Sequence, residues 1–476
     1  MRLWRNPTGQ TCMDDRTDIH RVIKISTIEG MFWQVYATLA APGSVFLTKF
    51  AVMLGATPLQ FGVLSAIGQV SQVFQPLGAA ITRTMTSRKR MVVALISWGR
   101  AVAFLYGLLP FLLPSQMAMW AFLGLFLVAT SLQAIGGNIW VGWISDLIPL
   151  EKRGRFFAVR SQYLMLVGLV TGYVFSAFLD PFDAERTGFA RAVAAALGNA
   201  PWLSPAHLPH AFVAVMAIAA AVGLVGARIL MLQPERPKAV EQERFRDAVA
   251  DSFRDSNFCK LLLYGSWWML AVGIGGPFWG AFMIKKLGMS LISIQVYGMI
   301  QTLAALVSLR PWGSFIDRFG NKAAMRIAIV MGGINPLVWL FATPANHGFL
   351  YIEAATSGVM WAGAGVVASN FVLSIAPEGR RQMYSGIFGA VSGFAMMLTL
   401  LASGAFLPPK LVLLGLHLEP EQVLFGLGGL MRWSAQIPLS WVHEPGGASV
   451  RAALREGRRA AGAWVARVRR AARRGP

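Results

Sequence analysis

The sequence predicts an all-α membrane protein with about twelve transmembrane helices in two six-helix pseudo-repeated halves. Three observations predict it. Of 476 residues, 55% are hydrophobic and only 14% charged, with a mean hydropathy of +0.54, too apolar for water-soluble domains. Apolar runs recur between short loops, each long enough to cross roughly 30 Å of hydrocarbon as a helix. Cations concentrate in alternate loops, and residues around the fourth and tenth runs echo one another.

Residues 1–27 carry Arg2, Arg5, Arg16, Arg21 and Lys24 and read as a leader. A first span is expected near 30–54 and a second near 58–82, separated at Thr57-Pro58. The third covers 91–113 and stops at Pro114, and the fourth covers 117–148 and stops at Pro149. A fifth span, 156–179, leads into a long loop, 180–208, and a sixth covers 209–232. Within the charged segment 234–259, Val240, Phe245, Val249 and Phe253 fall at near-helical spacing, which suits either an interfacial amphipathic helix or a solvated linker. Further spans follow near 261–284, 290–312, 323–343, 348–376 and 383–408. The twelfth, 422–442, has the weakest signal because it contains Arg432, Gln436 and Pro438. The tail is arginine-rich with Trp464, Val465 and Val468 interspersed, and reads as a lipid-surface helix or a solvated extension.

Alternate loops hold Arg88/Lys89/Arg90, Lys152/Arg153/Arg155, Arg236/Lys238, Arg318/Lys322 and Arg380/Arg381, with fewer cations in the loops between them. That bias places both termini in the cytoplasm, with an inner membrane as the expected location, and termini on one side require an even number of spans. The net charge of +21 therefore reflects topology, with no nucleic-acid partner implied. Cys12 and Cys259 both fall near cytoplasmic ends, which argues against a disulfide framework. The polar N-terminus shows no cleavable signal. No HExxH, phosphate-cradling loop or histidine cluster suggests an enzyme, a metal or a cofactor.

The most informative stretch is Gly313-Ser314-Phe315-Ile316-Asp317-Arg318-Phe319-Gly320-Asn321-Lys322, between two apolar runs. Gly313 permits close helix approach, Asp317 can face a helix N-terminus, and Arg318 and Lys322 mark the cytoplasmic side. Spelled G-x-x-x-D-R-x-G-x-K, it resembles the signature loop of the major facilitator superfamily of secondary transporters. The first-half counterpart keeps Gly78 and several cations but has Thr82 where the acid belongs and lacks the second glycine. Pro149 with Arg153 then Phe156, and Pro377 with Arg381 then Tyr384, repeat a short pattern in both halves. The resemblance implies halves at 28–233 and 260–444, a central loop at 234–259 and a tail at 445–476. It also implies a monomeric carrier in the lipid bilayer, working by alternating access.

The resemblance implies that spans 1, 4, 7 and 10 line a cavity, which makes their polar and aromatic residues candidates. Span 1 offers Gln34 and Lys49; span 4 offers Gln133 and Asn138; span 7 offers Trp267 and Trp268; span 10 offers Trp361 and Asn370. Lys49 can face the cavity or snorkel to the interface, and Glu353 could pair with it as an outer gate. Arg100, mid-span, occupies the costliest place for a charge and implies either a substrate or structural role or local hydrogen bonding. Asp146 is expected to latch to Arg153 or Arg160, and Gly313, Asp317, Arg318, Gly320 and Lys322 to gate. Trp33, Trp140, Trp143 and Trp279, near span ends, read first as interfacial anchors. Gly273 to Pro277 should interrupt span 7, either opening backbone to a cavity or kinking the helix.

Proton coupling needs a carboxylate, for which Glu353, Asp146 and Glu29 are available. The expected function is transport of a small polar organic solute by facilitation or proton symport. Aromatic faces with amide partners favour a sugar or glycoside. Organic-anion or drug transport on the same fold, or a non-transporting receptor or assembly protein, are the alternatives.

Overall fold

A computed structural model describes residues 15–73, 87–148, 150–183, 186, 188–235, 252–377, 381–413 and 415–444. The first-half loop around Thr82, most of the central segment and the basic tail lie outside these residues, as do the side chains of Asp146 and Arg153. The chain is helical from Asp15. In order the helices are α1 (Asp15–Ala40), α2 (Val45–Met53), α3 (Pro58–Val73), α4 (Lys89–Leu112), α5 (Ser115–Leu147) and α6 (Leu150–Leu179). They continue as α7 (Gly188–Ala196), α8 (Leu208–Leu230), α9 (Ser256–Gly273), α10 (Trp279–Lys285), α11 (Leu291–Phe319) and α12 (Asn321–Val338). The last four are α13 (Leu350–Ile375), α14 (Arg381–Ala405), α15 (Pro420–Ser434) and α16 (Gln436–Trp441). Among the described residues, 10 stretches are long and apolar enough to cross a membrane, so this is a multi-pass membrane protein. Of the expected spans, the one at 58–82 runs into residues outside the described ones, and the twelfth, at α15 with α16, is not among the ten. Faces meant for lipid stay apolar and open: Val307 is 78% exposed and Trp98 70%.

Local chemistry explains several boundaries. At Thr57-Pro58-Leu59-Gln60, the Thr57 backbone N–H donates to Gln60 Oε1 and the Gln60 backbone N–H donates to Thr57 Oγ1, a reciprocal cap that starts α3. Glu419-Pro420-Glu421-Gln422 starts α15 with the same box. The expected first span is broken: Ala41-Pro42-Gly43-Ser44 separates α1 from α2, and Ser44 then caps α2 by accepting from the Phe46 N–H. Span 7 is interrupted as expected, where Gly275 takes a φ of +73°, a conformation that strains any residue with a Cβ. The long loop contains α7, and Leu411–Leu413 pairs antiparallel with Leu416–Leu418 in a hairpin with no counterpart in the sequence reading.

The chain divides into two compact units. One comprises Met1–Glu243, Gly276–Val296 and Leu400–Leu407, and the other comprises Arg244–Gly275, Tyr297–Thr399 and Pro408–Pro476. In unit 1, Phe50 meets Phe122 and Phe212 edge-on at 5.3 Å, and Trp143 is fully buried with its Nε1 donating to the Pro234 carbonyl at 3.0 Å. Trp143 is thus a packing residue, which corrects its reading as an interfacial anchor. Unit 2 packs around Phe258, Trp312, Met360 and Phe371.

In each unit a glutamate distant in sequence also caps a helix. Glu235 accepts from the Arg88 and Lys89 backbone N–H groups and from Ser87 Oγ, closing the start of α4. Glu444 accepts from the Asn321 N–H at 2.7 Å and the Lys322 N–H at 2.8 Å, closing the start of α12. A carboxylate on a helix N-terminus satisfies orphan donors and the dipole together. Glu235→Ala and Glu444→Ala should therefore each destabilise by about 1–2 kcal/mol. Equilibrium unfolding in mixed micelles would check this, and unequal losses would mean the two caps are not equivalent.

Candidate functional site

In unit 1, α1, α4, α5 and α6 line a cavity of about 360 Å³. Its wall follows helical spacing: Glu29 and Trp33 on α1, Ile96 and Arg100 on α4, and Gln133, Gly137 and Trp140 on α5, with Arg160 from α6. Residues three or four apart share a helix face, so each helix presents one polar stripe.

Glu29 organises the charges. Its Oε1 accepts from Arg100 Nη2 at 3.0 Å, and its Oε2 lies 3.7 Å from Arg160 Nη2. Arg100 is 1% exposed, and its Nη1 also donates to the Gly223 carbonyl on α8 at 2.8 Å. Gly223 and Gly226 make that approach possible, since a Cβ at Gly226 would stand 3.0 Å from Arg100 Nη1. Arg160 Nε donates to the Ser26 carbonyl, and its guanidinium lies over the Trp140 ring at 4.6 Å. Gln133 Nε2 donates to Tyr36 Oη at 2.9 Å.

Unit 2 has a smaller, mostly apolar cavity of about 100 Å³, lined by Tyr264, Trp268, Met325, Trp361 and Phe371 among others. Trp268 and Trp361 meet edge-on at 6.4 Å. Nearby, Glu353 accepts from Tyr297 Oη at 2.7 Å. Arg432 is buried, donates to the Gly332 carbonyl at 3.1 Å and lies 6.0 Å from the Trp361 ring centre. Gln436 Nε2 donates to the Arg326 carbonyl, so the polar residues that weakened the twelfth apolar run serve carbonyls of α12.

Of the expected site residues, the structure gathers Arg100 and Gln133 on the larger cavity and Trp268 and Trp361 on the smaller one. Gln34 instead contacts Thr38 Oγ1 along α1, Asn138 and Asn370 are exposed, and Trp267 is 38% exposed and donates to Ser434 Oγ. Lys49 is held by Asp183 at 2.7 Å and Asp180 at 3.6 Å, while Glu353 has Tyr297. Each of these charges therefore has a partner within its own unit. Trp33 and Trp140, read first as interfacial anchors, line the cavity, as does Arg160. Their i, i+4 or i, i+7 relation to other polar residues was the available signal.

In the signature loop, Gly320 has a φ of +87°, which its lack of a Cβ permits, and it turns the chain from α11 into α12. Lys322 Nζ donates to the Ser440 and Val442 carbonyls at the end of α16. Asp317 and Arg318 are exposed and Gly313 is partly so. The acid on the adjoining helix N-terminus is Glu444.

A scan against protein-family models finds no match, and neither does a search of curated proteins. Solved structures do match. The nucleoside transporter NupG is 15% identical with a TM-score of 0.64, covering 90% of this chain and 99% of that one. The xylose transporter XylE from E. coli, in an inward open conformation, is 16% identical with a TM-score of 0.62, covering 91% and 98%. A bacterial homologue of the iron transporter ferroportin is 14% identical with a TM-score of 0.60, covering 88% and 98%. Over about 90% of its length, this chain has the fold of these solved transporter structures.

Proposed function

We propose that the protein is a secondary transporter that carries a small polar organic solute across an inner membrane by alternating access, with both termini cytoplasmic. The observation that carries this reading is the cavity of about 360 Å³ walled by Glu29, Arg100, Gln133 and two tryptophans inside transmembrane helices. Charges are expensive there, and a merely structural role would favour an apolar core. A cavity of that size suits a monosaccharide-sized solute. Trp33, Trp140 and Gln133 keep a sugar or glycoside in view, and Arg100 with Arg160 supports an organic anion.

Glu353, buried against Tyr297, is the carboxylate we assign to proton coupling, and Gly313, Asp317, Arg318, Gly320 and Lys322 to gating. Asp146 and Arg153 stay candidates for a latch. In proteoliposomes, the protein should accumulate a labelled solute above empty vesicles and exchange it in counterflow. Gln133→Ala should lower apparent affinity about tenfold through one lost hydrogen bond, with folding intact. In Glu353→Gln, uptake driven by a pH gradient should disappear while counterflow persists. Binding without flux would favour the receptor reading, and intact gradient-driven uptake in Glu353→Gln would remove Glu353 as the coupling group.

A further inference from the structure

We infer that the solute of the unit 1 cavity carries a single anionic group, a carboxylate, and that Arg160 on its Trp140 platform receives it. The inference rests on the reading of this cavity as a solute site. Among its described lining residues, one carboxylate, Glu29, faces two guanidinium groups, Arg100 and Arg160. One positive charge is left over. It is not shared equally. Arg100 lines the cavity, but its guanidinium is committed, with a 3.0 Å bond to Glu29 and a second to the Gly223 carbonyl. Arg160 reaches Glu29 only at 3.7 Å, beyond hydrogen-bond length, and its side chain is 12% exposed against 2% for Arg100. The surplus charge therefore sits at Arg160, facing the cavity.

In a poorly polarisable surrounding, an uncompensated cation is strongly unfavourable, and the Trp140 face 4.6 Å away offsets only part of that. A carboxylate can accept two N–H bonds from one guanidinium fork and bring the cavity charge to zero. A phosphate dianion would overshoot by one charge, and a neutral polyol would leave the cation uncompensated. The Trp140 ring lines the same cavity, and its Nε1 is buried with no hydrogen-bond partner among the described residues. Trp33 supplies an apolar wall for the rest of the solute. On this reading the acid docks on Arg160, and Glu29 remains committed to Arg100.

The test is thermal stabilisation of the purified full-length protein by matched acids and neutral analogues: benzoate with benzamide, nicotinate with nicotinamide, glucuronate with glucose. At least one acid should raise the unfolding temperature where its neutral partner does not. Arg160→Gln should abolish that shift. Arg160→Lys, which keeps the charge without the fork, should weaken apparent affinity about tenfold. Should Arg160→Gln fail to fold, Arg160→Lys and Trp140→Phe carry the decision through the acid response alone. Stabilisation by the neutral members, an unweakened acid response in these variants, or no response to any acid overturns the inference. Flux of a neutral solute would sink it while sparing the carrier reading. Acid binding without flux would do the reverse.

Discussion

Arg100→Met should destabilise the protein by about 3–5 kcal/mol, a loss in the range measured when one partner of a buried ion pair is removed. Glu29 is 3% exposed and Arg100 1%, so water compensates little of the charge left when its partner goes. Arg160, at 3.7 Å, is too far to replace the 3.0 Å bond, and its own hydrogen bond to the Ser26 carbonyl fixes it in place. The Gly223 carbonyl would lose its donor as well. Arg100→Lys should recover little, because one ammonium on a shorter reach cannot hold Glu29 on α1 and Gly223 on α8 together. Neutralising both partners, Glu29→Gln with Arg100→Met, should restore most of the loss, since the uncompensated carboxylate is gone. The readout is reversible unfolding in mixed micelles or bilayers. An unchanged midpoint for Arg100→Met alone would show that the pair contributes nothing to the fold. A double variant no better than the single would place the damage in packing around Gly223 and Gly226.

The hydropathy pattern made the helices legible because backbone in lipid has almost no alternative to forming them. Boundaries that depend on a local event were harder. Pro42-Gly43 splits the first span, but apolar residues on both sides conceal it from a sliding average. Arg432 reads as a flaw in the twelfth span until the Gly332 carbonyl appears opposite it. The candidate site was half legible for a geometric reason. Arg100 and Gln133 stand out in apolar runs, but Trp33 and Trp140 were placed near span ends by number. Helix α5 has 33 residues, about 50 Å at 1.5 Å each, so it overshoots the hydrocarbon and position along it is a poor measure of depth. Likewise α1 starts at Asp15, which puts Glu29 about half-way along it and no longer at a span edge. Pairing was not legible at all. Lys49 finds Asp180 and Asp183 more than a hundred residues away, and Glu235 and Glu444 reach helix starts that no periodicity links to them.

Asp180 should be the second most sensitive charge in the protein. It is 1% exposed at the end of α6, where Oδ1 accepts from the Leu291 N–H at 2.9 Å and Oδ2 from the Ile292 N–H at 3.0 Å. It thereby caps the start of α11, and Lys49 Nζ at 3.6 Å balances its charge. Asp180→Ala should cost about 2–4 kcal/mol, from two orphaned N–H groups and a weakened partner for a lysine only 5% exposed. Asp180→Asn retains one acceptor oxygen and should cost about half as much. Asp183 makes the contrast. It is closer to Lys49, at 2.7 Å, yet its side chain is 29% exposed, so water and salt screen the pair. Asp183→Asn should then cost at most about 1 kcal/mol despite the shorter distance. The same unfolding measurement ranks the three variants. Were Asp183→Asn the most damaging, the exposed carboxylate would be what holds Lys49, and burial would have been the wrong guide to which bond matters.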